Sequence, residues 1–341
     1  LFLAAHSDLL EQHHTARLSN MLWQGAIIDA HRMLDLVPDG PKTLGLARIS
    51  LQNLNENVNG LIDAVPENLR GDAGLQYDRF TWRARKGNSA SAKQLLRDQS
   101  TSVDALGRPQ AWSNRRRSLA RDEMRDGDPK LAYQLASRHF LTTGSAYADL
   151  EWLSGYIALR KLNDPATALG HFLRFDKAIL SPISKGRAGY WIGRAYDALD
   201  DPAQADQAYI NAAQHQTSFY GLLAAERAGL AFDFDLVADD PLPDWRGSDM
   251  AKSPLFEAGL LLQASGELDV AERFWTHYAE SLELYQAGQL GRAAIDVNQP
   301  HLAVMIGKRL AQRAIVLPEP YYALHPIAYR NLPMAPEMVL A

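Results

Sequence analysis

The sequence predicts an all-α protein built as an α-solenoid, or superhelix, of antiparallel helix pairs. Three observations carry this. Ala, Leu, Arg, Gln and Glu fill long segments, and no segment alternates apolar and polar residues with period two. An Asp-Pro pair with Ala three residues after the Pro recurs at Asp128-Pro129 with Ala132, Asp164-Pro165 with Ala168, and Asp201-Pro202 with Ala205, so the prolines stand 36 and then 37 residues apart. In each, Asp caps a helix and Pro takes its first turn, where a missing N–H costs nothing. The flanking segments are amphipathic: Ile192, Ala195, Tyr196 and Leu199 before the third cap, and Ala205, Ala208, Tyr209 and Ala212 after it, follow i, i+3, i+4, i+7. A two-helix period of this length is the mark of stacked helical repeats.

The elements follow in order. Leu1 to Leu10 reads as helix through Leu1, Phe2, Leu3, Leu9 and Leu10, without a start signal. Trp23-Gln24-Gly25 with Ala30, and Arg85-Lys86-Gly87 with Ala92, read as degenerate turns between paired helices. The next units run from Asp128 and from Trp152, Gly155 and Ala158 into Ala168 and Phe172. Gly193, Tyr196, Ala205, Tyr209 and Ala212 match the small-and-aromatic pattern of tetratricopeptide-like repeats. Residues 1–230 are thus expected to be helix-pair repeats. Residues 231–253, with Asp233, Asp235, Asp239, Asp240, Pro241, Pro243, Asp244, Gly247 and Asp249, are expected to form an acidic, Pro-containing loop. Helix pairs resume over 254–316, from Pro254 with Phe256, Leu260 and Leu261, and Pro300 with Ala303 weakly echoes the marker. A Pro/Tyr-rich linker is expected over 317–335, with Tyr321, Tyr322, Pro326 and Tyr329. At 336–341, Pro336 and Glu337 suit a helix start, and Met338, Val339 and Leu340 begin an apolar stretch. One turn is not stable alone, so the natural protein is expected to continue beyond Ala341.

Composition narrows the function. The 341 residues carry 35 Lys+Arg against 40 Asp+Glu, 47% hydrophobic and 22% charged residues, which excludes disorder as the main state. No stretch approaches the ~18 apolar residues of a membrane-spanning helix. With no cysteine, thiol catalysis, disulfides and Cys-type zinc sites are excluded, and cytoplasm and bacterial periplasm both remain open. A formal charge of -5 argues against a nucleic-acid binder. Charge is segregated, with twelve basic and four acidic residues over 79–125, and thirteen acidic and four basic over 231–300. A field that attracts an anionic polymer is one reading; a solvated helix face is the favoured one, with the Arg115-Arg116-Arg117 run as exposed filler and Arg117, Arg121 and Arg125 on one face.

Catalytic constellations are absent. Adjacent His13 and His14 point about 100° apart on a helix and chelate poorly. No HExxH, nucleophile elbow, Walker loop or dinucleotide fingerprint occurs, and no metal or cofactor is expected. Glu151, Glu226 and Glu272 read as surface charges of ordinary acidity, and Trp191, Tyr196 and Phe172 as inter-helix core.

One stretch carries the reading further. Thr217-Ser218-Phe219-Tyr220-Gly221-Leu222-Leu223-Ala224-Ala225-Glu226-Arg227 resembles the segment that closes the helical array of soluble lytic transglycosylases. Ala188 to Ala195, Tyr77 to Arg83, Ala105 to Pro109 and Ala271 to Phe274 resemble other parts of that family's superhelical region. Leu317 to Pro326, Tyr329, and Pro336 to Ala341 resemble its connection to a lysozyme-like domain and that domain's first helix. Thr217, Ser218, Phe219, Tyr220 and Gly221 are the signature residues, and Tyr321, Tyr322, Pro326 and Tyr329 mark the linker. The family's catalytic Glu falls a few residues further along the last helix, so no residue of this chain inherits it.

The resemblance implies a periplasmic enzyme that cleaves the β-1,4 bond between N-acetylmuramic acid and N-acetylglucosamine, with this chain as scaffold. One Glu acts as acid and then as base, and the muramyl 6-hydroxyl attacks in place of water to leave a 1,6-anhydro product, outside the two-carboxylate scheme. Partners would be peptidoglycan glycan strands and cell-wall synthesis proteins, with no nucleic acid and no membrane span. Two alternatives are a tetratricopeptide-type adaptor that binds peptides without an enzyme domain, and an RNA-binding helical repeat, which net charge and irregular repeat length disfavour.

Overall fold

The computed structural model describes residues 7–237, 241–330, 333–335 and 338. The expected first turn at Leu1, Phe2 and Leu3, Asp239 and Asp240 of the acidic segment, and Pro336, Glu337, Val339, Leu340 and Ala341 of the last helix lie outside the described residues. The described chain is helical and contains no strand.

The chain divides into two compact units, 1–178 and 179–341. The first holds α1 (His14–Gln24), α2 (Ile27–Met33), α3 (Asp39–Gln52), α4 (Ala73–Arg85), α5 (Ser89–Gln99), α6 (Pro109–Asp126), α7 (Pro129–Ser137), α8 (Ser145–Lys161) and α9 (Pro165–Lys177). The second holds α10 (Pro182–Asp197), α11 (Pro202–Ala213), α12 (Phe219–Arg227), α13 (Pro254–Ser265), α14 (Leu268–Ala279), α15 (Leu284–Asp296) and α16 (Pro300–Ala311). Within each unit, neighbours in sequence pack on one another: α6 on α7, α8 on α9, α10 on α11, α13 on α14. The all-α array of antiparallel helix pairs is as expected from the sequence.

The core is a series of local clusters. Leu18, Leu22, Ala30, Met33 and Ile49 form one, Ala47, Leu51, Val65 and Leu75 a second, and Phe80, Leu96, Trp112, Leu135 and Ile157 a third. The second unit carries a further cluster around Phe256, Trp275, Leu290 and Ile306. Each cluster joins adjacent helix pairs, as stacked repeats require.

The Asp-Pro marker is one form of a more general turn. Gly25, Gly87, Asn163, Asp200, Gly266 and Asn298 all have positive φ, from 53° to 85°. In each case the next residue caps the following helix, and its N–H donates to a carbonyl five or six residues back, closing the preceding helix. Gly, Asn and Asp are the residues that tolerate this conformation. Four residues beyond each cap stands a buried Ala: Ala30, Ala92, Ala168, Ala205, Ala271 and Ala303. Asp128 and Ala132 repeat the spacing after Gly127. Asp128, Asp164 and Asp201 accept hydrogen bonds from the N–H groups of Lys130, Thr167 and Gln204 at 2.9, 3.1 and 3.2 Å. In three pairs a buried aromatic follows the Ala by one turn, at Phe172, Tyr209 and Trp275, and lies against a glycine of the preceding helix, Gly155, Gly193 or Gly259. A Cβ on Gly155 would meet Phe172 at 2.6 Å, and one on Gly193 would meet Tyr209 at 2.5 Å.

One expectation is corrected. Leu199 is not part of the buried stripe, because α10 ends at Asp197 and Leu199 is 39% exposed. The acidic segment is packed against α15. Pro243 lies against Gly288, the Trp245 indole donates to Asp296 at 3.1 Å, and the Gln289 amide donates to the Asp244 carbonyl at 2.9 Å, which fastens the segment to α15.

Candidate functional site

The signature residues and the linker meet in the second unit. Ser218 caps α12: its Oγ accepts from the Gly221 N–H at 3.1 Å and donates to the His215 carbonyl at 2.8 Å. Gly221 is required, because a Cβ there would collide with the His215 backbone. Tyr220 joins an aromatic group with Tyr190 at 5.4 Å and Trp191 at 6.2 Å, and the Arg187 guanidinium lies 6.0 Å from its ring. Phe219 stands 68% exposed. From about 100 residues along the chain, the Tyr321 hydroxyl donates to the Thr217 carbonyl at 3.3 Å. The start of the linker is itself a packed helix, Pro318–Tyr321, with Pro320 against Gly291 and Tyr321 against Gly307. Burial pushes the Tyr321 and Tyr322 hydroxyls up from their ordinary pKa. Beyond it, Tyr322 and Pro326 are exposed; Tyr329 ends the turn Pro326–Tyr329.

The first unit holds buried ionic centres that sequence reasoning missed. Glu151 on α8 is not a surface charge. It is buried, accepts from Arg174 Nε at 2.9 Å, and lies 3.2 Å from His139 Nε2 and 2.6 Å from His171 Nδ1, which also faces Arg174 Nη2 at 2.7 Å. The Leu141 N–H donates to His139 Nδ1, which leaves the proton of that ring on Nε2, facing Glu151. Burial pushes the Glu151 carboxyl up, but the bonds from His139 and His171 and the charges of His171 and Arg174 outweigh it and hold it down at about 2. Glu151 is therefore a fixed anion near neutral pH and cannot serve as the acid of a glycosidase, which needs a raised pKa. A signal was present: Glu151, Ser154, Gly155 and Ala158 share one i, i+3, i+4, i+7 stripe, which places the carboxylate on the core face.

Asp78 on α4 is also buried, with its carboxylate 2.7 Å from Arg48 Nε and 3.0 Å from the Gln52 amide. Burial pushes its pKa up to about 6, against the pull of Arg48 and Gln52. Arg116 is no exposed filler either. It is fully buried, donates to the Leu135 carbonyl at 2.8 Å and the Ser100 hydroxyl at 2.6 Å, and burial lowers its pKa to about 9. Arg117 pairs with Asp149, Lys93 with Glu123 and Lys86 with Glu56, so these three of the segment's twelve basic residues are neutralised locally.

The remaining residues take the plainer roles. Trp191 and Phe172 are core and Tyr196 is half-buried. Glu226 is exposed, and Glu272 pairs with His301 at 3.0 Å. His14 Nδ1 lies 3.0 Å from the Leu36 carbonyl while His13 is exposed, so the two do not converge. Among the described residues no group of three or more His, Asp or Glu is arranged to hold a metal, and no helix is long and apolar enough to cross a membrane.

No family model matches the chain, and neither the curated proteins nor the solved structures contain a match to it.

Proposed function

We propose that this chain is the helical scaffold of a periplasmic lytic transglycosylase acting on peptidoglycan. The observation that supports it best is the contact between Tyr321 and Thr217. The two segments with the most specific resemblance are distant in sequence, and in this reading the linker is anchored on the signature before it leads to a lysozyme-like domain. The helix-pair array around them is the architecture the resemblance implies.

In this role the chain supplies position and not chemistry. The family's acid/base Glu matches none of its residues, and Glu151, the best-held carboxylate, is too acidic to protonate a glycosidic oxygen. In the parent enzyme one Glu protonates the N-acetylglucosamine O4 as the bond to muramic acid C1 breaks. The same Glu then takes the proton from the muramyl 6-hydroxyl as that oxygen bonds to C1. Glycan strands are the proposed substrate, and cell-wall synthesis proteins the proposed protein partners.

Digestion of purified sacculi tests this, with mass-spectrometric detection of 1,6-anhydromuropeptides. The full gene product should release them and residues 1–341 alone should release none. Release by the 341-residue chain, or none by the full product, would overturn the reading, the latter in favour of a peptide-binding adaptor.

A further inference from the structure

We propose that the first unit carries a binding site for a zwitterionic amino-acid head group, an ammonium and a carboxylate borne on one carbon. A cavity of about 340 Å³ opens between the C-terminal ends of α1 and α3 and one side of α4. That is within the range of small-molecule sites. Trp23, Gln52, Tyr77, Asp78, Thr81 and Arg85 line it.

Asp78, Thr81 and Arg85 stand at i, i+3 and i+7 of α4, on one face that grades from buried to exposed. Asp78 Oδ2 takes the Arg48 bond, and the two oxygens share one amide nitrogen of Gln52, so Oδ1 retains acceptor capacity. The Thr81 hydroxyl is buried without a hydrogen-bond partner. Gln24 and Gln52, the last residues of α1 and α3, border the same space, so the negative ends of two helix dipoles add to the Asp78 carboxylate. Arg48 already offsets one charge there, so what the floor offers is the open Oδ1 acceptor, the Thr81 hydroxyl and two helix C-termini, which suit a multiple N–H donor such as an ammonium. At the rim the requirement reverses. Arg85 is exposed and, among the described residues, has neither an ion pair nor a hydrogen bond. Arg85 lines the cavity one turn beyond Thr81, within reach of a group bound there. A carboxylate next to the ammonium would meet it there.

The aromatic residues do not offer a sugar platform instead. Trp23 stacks on Tyr77 at 5.2 Å and also carries the guanidinium groups of Arg48 and Arg108 at 5.3 and 5.2 Å. Its faces are occupied within the protein.

Two sources carry this head group: a free amino acid, and the diamino acid of a peptidoglycan stem peptide. The second rests on the transglycosylase reading, and the first does not. Calorimetric titration of the 341-residue chain separates them, using meso-diaminopimelate, a stem tripeptide ending in it, cadaverine (ammonium groups only) and pimelate (carboxylates only). Diaminopimelate, the tripeptide or both should bind, and cadaverine and pimelate should not. Arg85→Gln and Thr81→Val should each leave the thermal midpoint in place, and Arg85→Gln should weaken binding about tenfold or more. Binding of the free amino acid alone identifies a small-molecule site; binding of the tripeptide alone identifies a stem reader. Absence of binding by either zwitterion, equal binding of cadaverine, or affinities unchanged in both variants would overturn the inference. Sacculus digestion by the full product would be untouched by that result, so the two readings fail separately.

Discussion

The two units use the same helix pair and fill the space inside it differently. In residues 1–178 the buried side chains include Arg48, Asp78, Arg116, Glu123, His139, Glu151 and His171. In residues 179–341 the buried polar side chains among the described residues are Gln216, Ser218 and Gln289, and none is ionisable. There the interior is aromatic rings set against glycines and alanines, as at Tyr209 on Gly193 and the stacked Phe256 and Trp275, 5.1 Å apart. The geometry of the pair therefore leaves the chemistry of its interior open. An ionic interior is sensitive to the loss of a partner and to pH, whereas an aromatic interior is sensitive to added volume.

The largest effect is expected from breaking an ionic centre. Arg48→Met leaves the Asp78 carboxylate buried without its cation and should cost about 3–5 kcal/mol in urea titrations. Adding Asp78→Leu should recover much of that, since an apolar pair of similar volume is often as stable as a buried ion pair. No recovery in the double variant would show that the pair itself stabilises the first unit.

Acid should then separate the two units. Glu151 has its folded pKa lowered to about 2, so its contribution is complete above the unfolded value and is lost as pH falls from about 4.5 toward 2. Asp78, facing Arg48, Gln52 and Asp72, has its folded pKa raised to about 6, so it destabilises as pH rises from about 4 through 6. The combined contribution of these two groups is therefore greatest near pH 4–5. Peptide-resolved hydrogen exchange, corrected for intrinsic rates, reads each unit. Glu151→Gln should weaken the acid limb in residues 1–178 and leave that of residues 179–341 unchanged; an undiminished limb in residues 1–178 would assign it to other carboxylates such as Glu123.

Volume is the lever in the second unit. Gly193→Ala places a methyl against the Tyr209 ring and should cost about 1–3 kcal/mol, net of the better helix propensity of Ala. Ala205→Leu should cost as much, and neither loss should change between pH 4 and 7. An unchanged thermal midpoint would mean that the helices slide apart at no cost. The smallest effect is common to both units: Asp164→Ala and Asp201→Ala each remove a cap and should lower stability by about 1 kcal/mol, visible as shifts of the thermal midpoint.

What the sequence disclosed follows the range of the interactions. Asp128, Asp164 and Asp201 were legible because cap, proline and Ala act within one turn. The same joint at Gly25, Gly87 and Gly266 was legible only in part, since its bonds are to backbone and the cap residue varies from Ala26 to Glu267. Arg48 and Asp78 are 30 residues apart, and nothing local marks an arginine as buried. Glu151 shares a stripe with Ser154, Gly155 and Ala158, but the partners that hold it buried, His139, His171 and Arg174, lie on other segments and leave no local sign. Tyr321 and Thr217 were each noticed, but their contact depends on how α15 and α16 fold back.

The joint between paired helices has a consequence for how such a chain can change in length. Each one is closed by bonds inside its own short stretch, from Ala158 to Ala168 or from Tyr196 to Ala205. A joint holds no information about the pair before or after it, so copies are interchangeable parts. Duplicating or deleting a whole period, such as the 37 residues from Pro165 to Asp201, rejoins like ends. One residue added inside a helix is different. It turns everything up to the next joint by about 100° and carries the Ala off its contact. Insertions in this array should therefore obey something like a reading frame, tolerated as whole periods or in surface segments, and damaging by ones and twos within a helix.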